Sequence, residues 1–276
     1  MSRSRPIGAT PSRTARAIIL GVVGLVFAIP IIAMLEFSLR KVGGGYTLAH
    51  WAGLFAPTAG QTYGVVFTGV SNSLLLAAVT VVIVLVIVLP TMILVQLRFP
   101  RLRRVLEFIC IIPITVPAIV MVVGLAPVYS VVAGIAGSSI WTLSFAYGIT
   151  VLPYAYRAIQ SNLSAVDVVT LSEAARSLGA SWGSVLWRVI LPNLRRGTLA
   201  ASFITVAVVL GEYTIASLLN RMNLQTALVQ ISTIDPFVAV IFTLIALGFA
   251  FILLLLIGRL ATDRRSRPAR LDKKAS

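Results

Sequence analysis

The sequence predicts an all-α membrane protein with six transmembrane helices. Of its 276 residues, 58% are hydrophobic and only 11% are charged, and the mean hydropathy is +0.99. Soluble domains are about half apolar and about a quarter charged, so this composition belongs to a chain surrounded by lipid. Six stretches reach or approach the roughly 20 apolar residues that a helix needs to cross the hydrocarbon core.

We predict one transmembrane domain over residues 17–260, between basic tails at 1–16 and 261–276. Its six spans are Ala17–Leu39, Ser71–Leu97, Val105–Tyr129, Ile140–Ile159, Thr198–Leu219 and Pro236–Leu260. The first span follows several arginines, as a secretory signal does, but its apolar run is longer and no small-residue cleavage site follows it. We therefore expect a retained anchor.

Prolines and polar residues interrupt two of these spans. Pro113 and Pro117 are expected to break or bend the third span, because proline removes a helical hydrogen bond. Ser144, Thr150 and Pro153 dilute the fourth span. This dilution favours a helix that crosses the membrane inside protein rather than against lipid.

Positive charge predicts the orientation. Twenty of the 23 Lys and Arg residues fall on one side if the N-terminus is cytoplasmic, and only Arg40, Lys41 and Arg221 fall on the other. This bias satisfies the positive-inside rule and predicts that both termini are cytoplasmic. Basic tails resting on anionic lipid headgroups also account for the net charge of +15, so we expect no nucleic-acid partner.

The sequence argues against an enzyme. It has no G-x-x-x-x-G-K-[ST] phosphate loop with which to bind a nucleotide. Its single histidine, His50, lies in a predicted outer loop, and its single cysteine, Cys110, lies within a span. Neither a metal cluster nor a catalytic triad is expected from such a set.

A polar-faced segment at 161–197 separates the fourth and fifth spans. Apolar residues recur there at helical spacing, at Val168, Leu171, Ala175 and Leu178. Asp167 is a suitable N-cap for this helix. A glycine follows it, at Gly179, and is expected to end it.

A second helical pattern follows this glycine, at Trp182, Val185, Leu186 and Val189. Ser181 is a suitable cap, and Pro192 is expected to lie beyond the end of the helix. The segment is therefore predicted to form two short amphipathic helices joined by a turn. Periodicity alone is equally consistent with a helix pair that lies on the membrane surface.

The residues of this segment resemble a known motif. Glu173-Ala174-Ala175, then Gly179, then Ile190-Leu191-Pro192 resemble the cytoplasmic loop of binding-protein-dependent ABC importer permeases of the MetI-like, type I class. Weaker matches to that family lie at Tyr46-Thr47-Leu48, Trp51 and Asn72-Ser73-Leu74. Together the matches extend over about residues 15–260.

The resemblance implies a function and a set of partners. In that family the loop forms a coupling helix that inserts into a groove on a separate ATP-hydrolysing subunit. The ATPase-coupling residues here would be Glu173, Ala174, Ala175, Gly179, Leu191 and Pro192. The chain itself would hold no cofactor, because the partner subunit uses the ATP. Glu173 has the alternative role of capping its own loop.

The same resemblance implies an assembly in the bacterial plasma (inner) membrane. Its other members would be ATP-binding ABC subunits, a second permease subunit that is identical or related, and an extracytoplasmic solute-binding protein. Each permease would form half of the pathway.

Glu212 is the candidate pathway residue, together with its neighbour Tyr213 and with Asn72. An acidic side chain within a bilayer costs roughly 2.5–3.5 kcal/mol on insertion scales, so it seldom occurs without a role. Glu212 either contacts the solute or is a structural carboxylate bonded to a neighbouring span, for example at Asn72. An acidic pathway residue favours a cation, which within the family indicates a polyamine such as spermidine or putrescine. Ferric iron, thiamine, and sulfate or molybdate are the alternatives.

Two other classes of membrane protein have less support. A carrier driven by an ion gradient usually has internal repeats and several ionisable groups near the midplane. This chain has no evident repeat and one deep acidic residue. A scaffolding membrane protein would not need the Glu-Ala-Ala spacing.

Overall fold

A computed structural model describes residues 12–262, and every regular element in that range is a helix. The helices are α1 (Arg13–Leu39), α2 (Ala49–Gly53), α3 (Ala59–Thr62), α4 (Gly64–Arg98), α5 (Arg103–Thr115), α6 (Ala118–Ala136), α7 (Ser144–Ala165), α8 (Val168–Ser177), α9 (Trp182–Gly211), α10 (Thr214–Leu218), α11 (Leu224–Ser232) and α12 (Pro236–Thr262). Most of the two predicted basic tails lies outside the described residues, so their contact with lipid stays a prediction.

Five of these helices are long and apolar enough to cross a membrane, namely α1, α4, α6, α9 and the Pro236–Leu253 part of α12. Few of their apolar residues are buried in protein. None of the most apolar window of α1 is buried, and only 28% of that of α4 is. Apolar surface of this extent requires a lipid environment, so the predicted class of all-α membrane protein is confirmed.

Helix α7 lies at the centre of the fold and corresponds to the predicted fourth span. It packs against α9, α5 and α4. Tyr147, Val151 and Ile159 on this helix are at most 1% exposed. Because protein rather than lipid surrounds much of α7, its polar residues and Pro153 are tolerated there, as the sequence predicts.

Small residues allow the central helices to approach closely. A side chain at Gly197 of α9 would place its Cβ 2.6 Å from the Cβ of Asn162 on α7. The Gly197 N–H instead donates to Asn162 Oδ1 at 3.2 Å. Close backbone approach and interhelical hydrogen bonds are the main sources of helix association in lipid, where hydrophobic burial contributes little.

Two helices continue through a proline by widening one turn. In α4 a π-helical turn, Val84–Val88, precedes Pro90, and in α9 a π-helical turn, Val185–Ile190, precedes Pro192. Proline lacks an N–H, and its ring clashes with the carbonyl four residues earlier in a regular helix. In a π-helical turn the hydrogen bonds span five residues instead of four, so the proline ring avoids that carbonyl. The predicted end of a short helix before Pro192 is therefore wrong, because α9 runs on for 30 residues.

The predicted third span, Val105–Tyr129, is broken as its prolines suggest. Helix α5 ends at Thr115, and α6 begins at Ala118. Val116 between them is extended, with φ −95° and ψ 121°, because the ring of Pro117 disfavours a helical conformation in the residue before it.

The predicted fifth span, Thr198–Leu219, is also displaced. Helix α9 begins 16 residues earlier, at Trp182, and ends at Gly211. Glu212 follows with an extended backbone, at φ −84° and ψ 126°. The short helices α10 and α11 then cover one end of the domain. In the second predicted span, Ser71–Leu97, the helix starts earlier, at Gly64.

Gly69 is predicted to be intolerant of any side chain. A Cβ there would lie 2.6 Å from the Cβ of Ala227 and 2.8 Å from the carbonyl oxygen of Asn223. Gly69→Ala should therefore destabilise the purified chain by about 1–3 kcal/mol, the usual cost of overpacking. The measurement is the thermal unfolding midpoint followed by fluorescence-detected size exclusion. Gly124→Ala in α6, where a Cβ meets nothing within 4 Å, is the matched control. Equal midpoints for the two variants would contradict this packing.

Candidate functional site

Helix α8 is fixed at its N-terminus by Asp167. Asp167 Oδ2 accepts from the Thr170 hydroxyl at 2.7 Å, and Oδ1 accepts from the Thr170 N–H at 3.1 Å. These two hydrogen bonds, the hydroxyl first, hold the pKa of the Asp167 carboxyl below its ordinary value. The carboxylate therefore stays charged at a helix N-terminus, where the helix dipole favours negative charge. The predicted N-cap is present.

A glycine turn fixes the other end of α8. The Gly179 N–H donates to Arg176 O at 2.9 Å, and the Ala180 N–H donates to Ala175 O at 3.1 Å. This pair of bonds is a Schellman motif, which requires a left-handed residue between helix and loop. Gly179 has φ +84°, as the motif demands. Arg176 Nη1 also donates to Ala180 O at 3.0 Å and closes the turn.

One face of α8 packs on the membrane domain. Val168 and Ser172 are buried, and Ala175 is half-buried. This face lies against the π-helical turn of α9. The prediction that Leu178 belongs to this face is wrong, since its side chain is 89% exposed. Leu178 lies after the end of α8, so its side chain does not point to the same side as Val168 and Ala175.

The opposite face of α8 is exposed and carries Glu173 and Ala174. Within residues 12–262 the Glu173 carboxylate has no hydrogen bond and no ion pair, while its backbone carbonyl accepts from the Ser177 hydroxyl at 2.9 Å. The alternative that Glu173 caps its own loop is therefore wrong, because Asp167 fills that role. Together with Leu178 these residues form what we call the α8 face: Glu173, Ala174, Ser177 and Leu178.

The two remaining residues of the predicted coupling set lie on α9. Leu191 is half-buried against the core, and Pro192 is exposed. They follow directly after the π-helical turn on which α8 packs. Leu191 and Pro192 are therefore not part of the α8 face. They belong to α9, the membrane helix against which α8 packs.

Two arginines meet Trp182 at this end of the molecule. The guanidinium carbon of Arg98 lies 5.4 Å from the Trp182 ring centroid, and that of Arg176 lies 5.2 Å away. These are cation–π distances. The contact joins the end of α4 to α8 and the start of α9. Sequence reasoning missed it, since Arg98 is far from Arg176 and Trp182 in the chain.

Glu212 lies at the opposite end, between α9 and α10. Its Oε1 accepts from the Ile215 N–H at 2.9 Å and so caps α10. Its Oε2 is buried, and no donor among residues 12–262 meets it with good hydrogen-bond geometry. The carboxylate does interact with the nearby Tyr147 hydroxyl of α7, as the alternative of a structural carboxylate bonded to a neighbouring span predicts. The predicted structural bond to Asn72 is wrong, because Asn72 Nδ2 donates to the Met222 carbonyl at 2.8 Å.

Asn223 is the residue at this end that the sequence reasoning missed. It is fully buried, and its Nδ2 donates to Glu212 O at 2.6 Å and to the Tyr147 hydroxyl at 3.1 Å. Its side chain and Thr226 form a capping box at the start of α11. That spacing was the available signal. Tyr213, by contrast, is 42% exposed and lines a pocket.

A cavity of about 800 Å³ lies between α4 and the start of α9. Its wall is almost entirely aliphatic, with Arg98 and Trp182 at one end. Such a wall offers few hydrogen-bonding groups to a polar solute. It does not contain Glu212, Tyr213 or Asn72, so it does not coincide with the predicted pathway.

Comparison with known proteins identifies the class. Residues 93–267, more than half of the chain, match the family described as binding-protein-dependent transport system inner membrane component, and the chain belongs to this family. The match confirms the resemblance to MetI-like ABC permeases.

The chain is also similar to the probable ABC transporter permease protein y4fN of Sinorhizobium fredii (strain NBRC 101917 / NGR234). The two are 25% identical over 266 residues, which cover 89% of this chain and 46% of that protein. This chain therefore spans a little under half the length of that relative.

Proposed function

We propose that the chain is the membrane permease subunit of an ATP-driven importer and forms half of the translocation pathway for a small solute. A separate ATPase subunit would hydrolyse the ATP. The observation that carries this proposal concerns α8: one face of this helix packs on α9, and the opposite face is exposed to solvent.

The rigidity of α8 suits a mechanical link. An N-cap, a Schellman turn and the Arg176 bond fix both of its ends, and a buried face fixes it to α9. The α8 face has an exposed carboxylate, a small residue that allows close approach, and an exposed leucine. An apolar anchor beside a charge is typical of a docking surface for another protein.

A mechanism follows from these contacts. ATP binding draws two ATPase subunits together, and each α8, seated in a groove of its subunit, moves with it. The movement passes through the π-helical turn into α9, a single helix of 30 residues that ends beside Glu212. The chain then alternates between outward-open and inward-open states by rigid-body tilting.

The orientation forms part of the proposal, with six crossings and both termini in the cytoplasm. Helix α7 would be the crossing that is not apolar enough to face lipid, and its 22 residues span about 33 Å. Contacts at each end support this arrangement. Arg98 and Arg176 meet at the predicted inner end, whereas Phe237 stacks on Phe37 and His50 at the predicted outer end.

A second permease subunit, identical or related, would complete the pathway, and a solute-binding protein would deliver the solute from outside. Six crossings are few for a complete conduit. The relative from Sinorhizobium fredii has more than twice the length that this chain matches, which is enough for a second unit of similar size.

For the solute we propose a polyamine, with ferric iron, thiamine and sulfate or molybdate as alternatives. The buried Oε2 atom of Glu212 supports a cation, because an ammonium group would supply a well-aligned donor that the nearby Tyr147 hydroxyl does not provide. A carrier driven by an ion gradient remains the alternative of a different class. Uptake that depends on ATP and on the partner subunits in reconstituted vesicles separates these two classes.

Reversing the charge of Glu173 should uncouple the transporter. Glu173→Arg leaves the fold intact because the side chain is exposed and makes no contact that the fold requires. We expect ATP-driven uptake in vesicles to fall about tenfold or more, while the amount of permease in the membrane stays unchanged. The control is Ser161→Arg, which introduces an arginine at an exposed site on α7. Normal uptake by the Glu173 variant would refute docking through the α8 face.

Neutralising Glu212 tests the pathway proposal. Glu212→Gln keeps an oxygen that can accept from the Ile215 N–H, so α10 should stay capped. We expect uptake to be abolished while assembly with the ATPase survives. Glu107→Gln, which removes an exposed carboxylate from α5, should transport normally. Unchanged uptake kinetics in the Glu212 variant would exclude a pathway role.

A further inference from the structure

A pocket of about 350 Å³ lies on the segment between α9 and α11. Arg221 lines it, together with five neutral polar residues: Tyr213, Ser217, Asn220, Thr226 and Gln230. The Thr226 hydroxyl is used in the capping box of α11, but the other five side chains have no hydrogen bond within residues 12–262. None of the residues lining the pocket is acidic. The volume is near the lower end of the range for small-molecule sites, and the pocket is open to solvent.

Arg221 contributes the most informative atom of the pocket. Its Nε is buried from solvent and has no acceptor among the described residues. A buried donor without an acceptor is costly and rare, and a charged one more so. A ligand that brings an acceptor would remove this cost. Arginine also matches carboxylate, sulfate and phosphate groups through paired hydrogen bonds.

The backbone before Arg221 is fixed by a second Schellman motif, which ends α10. The Asn220 N–H donates to Ser217 O at 3.1 Å, and the Arg221 N–H donates to Ala216 O at 2.8 Å. Asn220 adopts the left-handed conformation that the motif requires, with φ +52°. Asparagine tolerates this conformation better than most residues.

The backbone after Arg221 is fixed from α4. Asn72 Nδ2 donates to the Met222 carbonyl, and the Leu224 N–H donates to Ser73 Oγ at 2.7 Å. Asn223 is buried and forms the capping box of α11. Arg221 thus projects from a connector that is held on both sides, and a site held in this way is preorganised for its ligand.

We propose that this pocket binds a small solute through an oxyanion group, with Arg221 as the charged donor. Ser217, Asn220, Gln230 and Tyr213 supply neutral hydrogen bonds around it. In the proposed orientation the pocket lies on the outer side, where a delivered solute first meets the permease. A role of this pocket in transport rests on the proposed function, whereas the binding of an oxyanion to the pocket does not. A polyamine carries no oxyanion, so a transport role for this pocket favours sulfate or molybdate among the proposed solutes, or a solute with an oxyanion for Arg221 and an ammonium group for Glu212.

An acidic side chain of a docking protein would present the same carboxylate. The concave shape and the small volume favour a free solute instead, because a docking side chain needs only an exposed arginine. Binding of small oxyanions would indicate a free solute, whereas binding of a polyanionic peptide alone would indicate a docking protein.

The test uses the full chain, purified in lipid nanodiscs, with sodium sulfate, inorganic phosphate or sodium acetate as the probe and chloride keeping the ionic strength constant. We expect at least one of these anions to raise the thermal unfolding midpoint saturably. Arg221→Gln should weaken this apparent affinity about tenfold or more. Lys41→Gln, which removes an exposed positive charge from the same side, should retain it.

A second variant covers the case in which Arg221→Gln does not fold. Ser217→Asp places a carboxylate in the pocket, where it pairs with Arg221 and repels anions, and should abolish the effect. The proposal is overturned if none of the anions acts on the wild-type chain, or if the pocket variants respond as it does. An effect of a blocked oligoglutamate peptide without any effect of small anions would overturn the small-solute assignment. These outcomes involve no ATPase, so they are independent of the coupling test at Glu173.

Discussion

Helix α9 joins the two ends of the membrane domain, and it does so past a proline. Inside a bilayer every backbone polar group must find its partner within the protein, so a simple break at Pro192 would expose unpaired carbonyls. The π-helical turn Val185–Ile190 removes that conflict and keeps the helix continuous to Gly211. The same turn is the surface on which α8 packs. The continuity of α9 and the packing of α8 against the membrane domain therefore both depend on this π-helical turn.

Both ends of α9 meet rigid elements. At one end α8 is held by caps and by its buried face, and at the other the connector that carries Arg221 is held by Asn72, Ser73 and Asn223. A rigid body transmits a small displacement without absorbing it, which is what coupling between distant sites requires. It also keeps hydrogen-bonding groups in place for a ligand. Two charged side chains that each have a buried atom without a hydrogen bond, Glu212 and Arg221, belong to the end that faces the solute in our proposal.

The sequence predicts those features that are set by local chemistry or by composition. Membrane class follows from hydropathy, and the Asp167 cap and the Gly179 turn follow from short-range hydrogen bonding. The break at Pro117 follows from its ring. The motif at 173–192 indicates the right family, because its residue types and spacing are specific.

Other features depend on tertiary contacts that periodicity does not encode. Leu178 fits the helical stripe in the sequence, yet the turn at Gly179 directs it outwards. Pro192 ends a helix by propensity, but a wider turn allows the helix to continue. The partners of Asn72 and Ser73 lie about 150 residues away in the chain, and no local pattern predicts such pairs. Asn220 and Arg221 line the pocket only because the turn after α10 places them there.

Accessibility of position 178 tests the central claim most directly, because the Leu178 side chain on the α8 face is 89% exposed. The only native cysteine, Cys110, is buried, so Leu178→Cys introduces the one accessible thiol. A membrane-impermeant maleimide would be added to right-side-out and to inverted vesicles, with and without the ATPase subunit. The account predicts labelling in inverted vesicles alone, blocked when the ATPase subunit is assembled. Labelling from the outer side, or labelling that the ATPase subunit leaves unchanged, would contradict it.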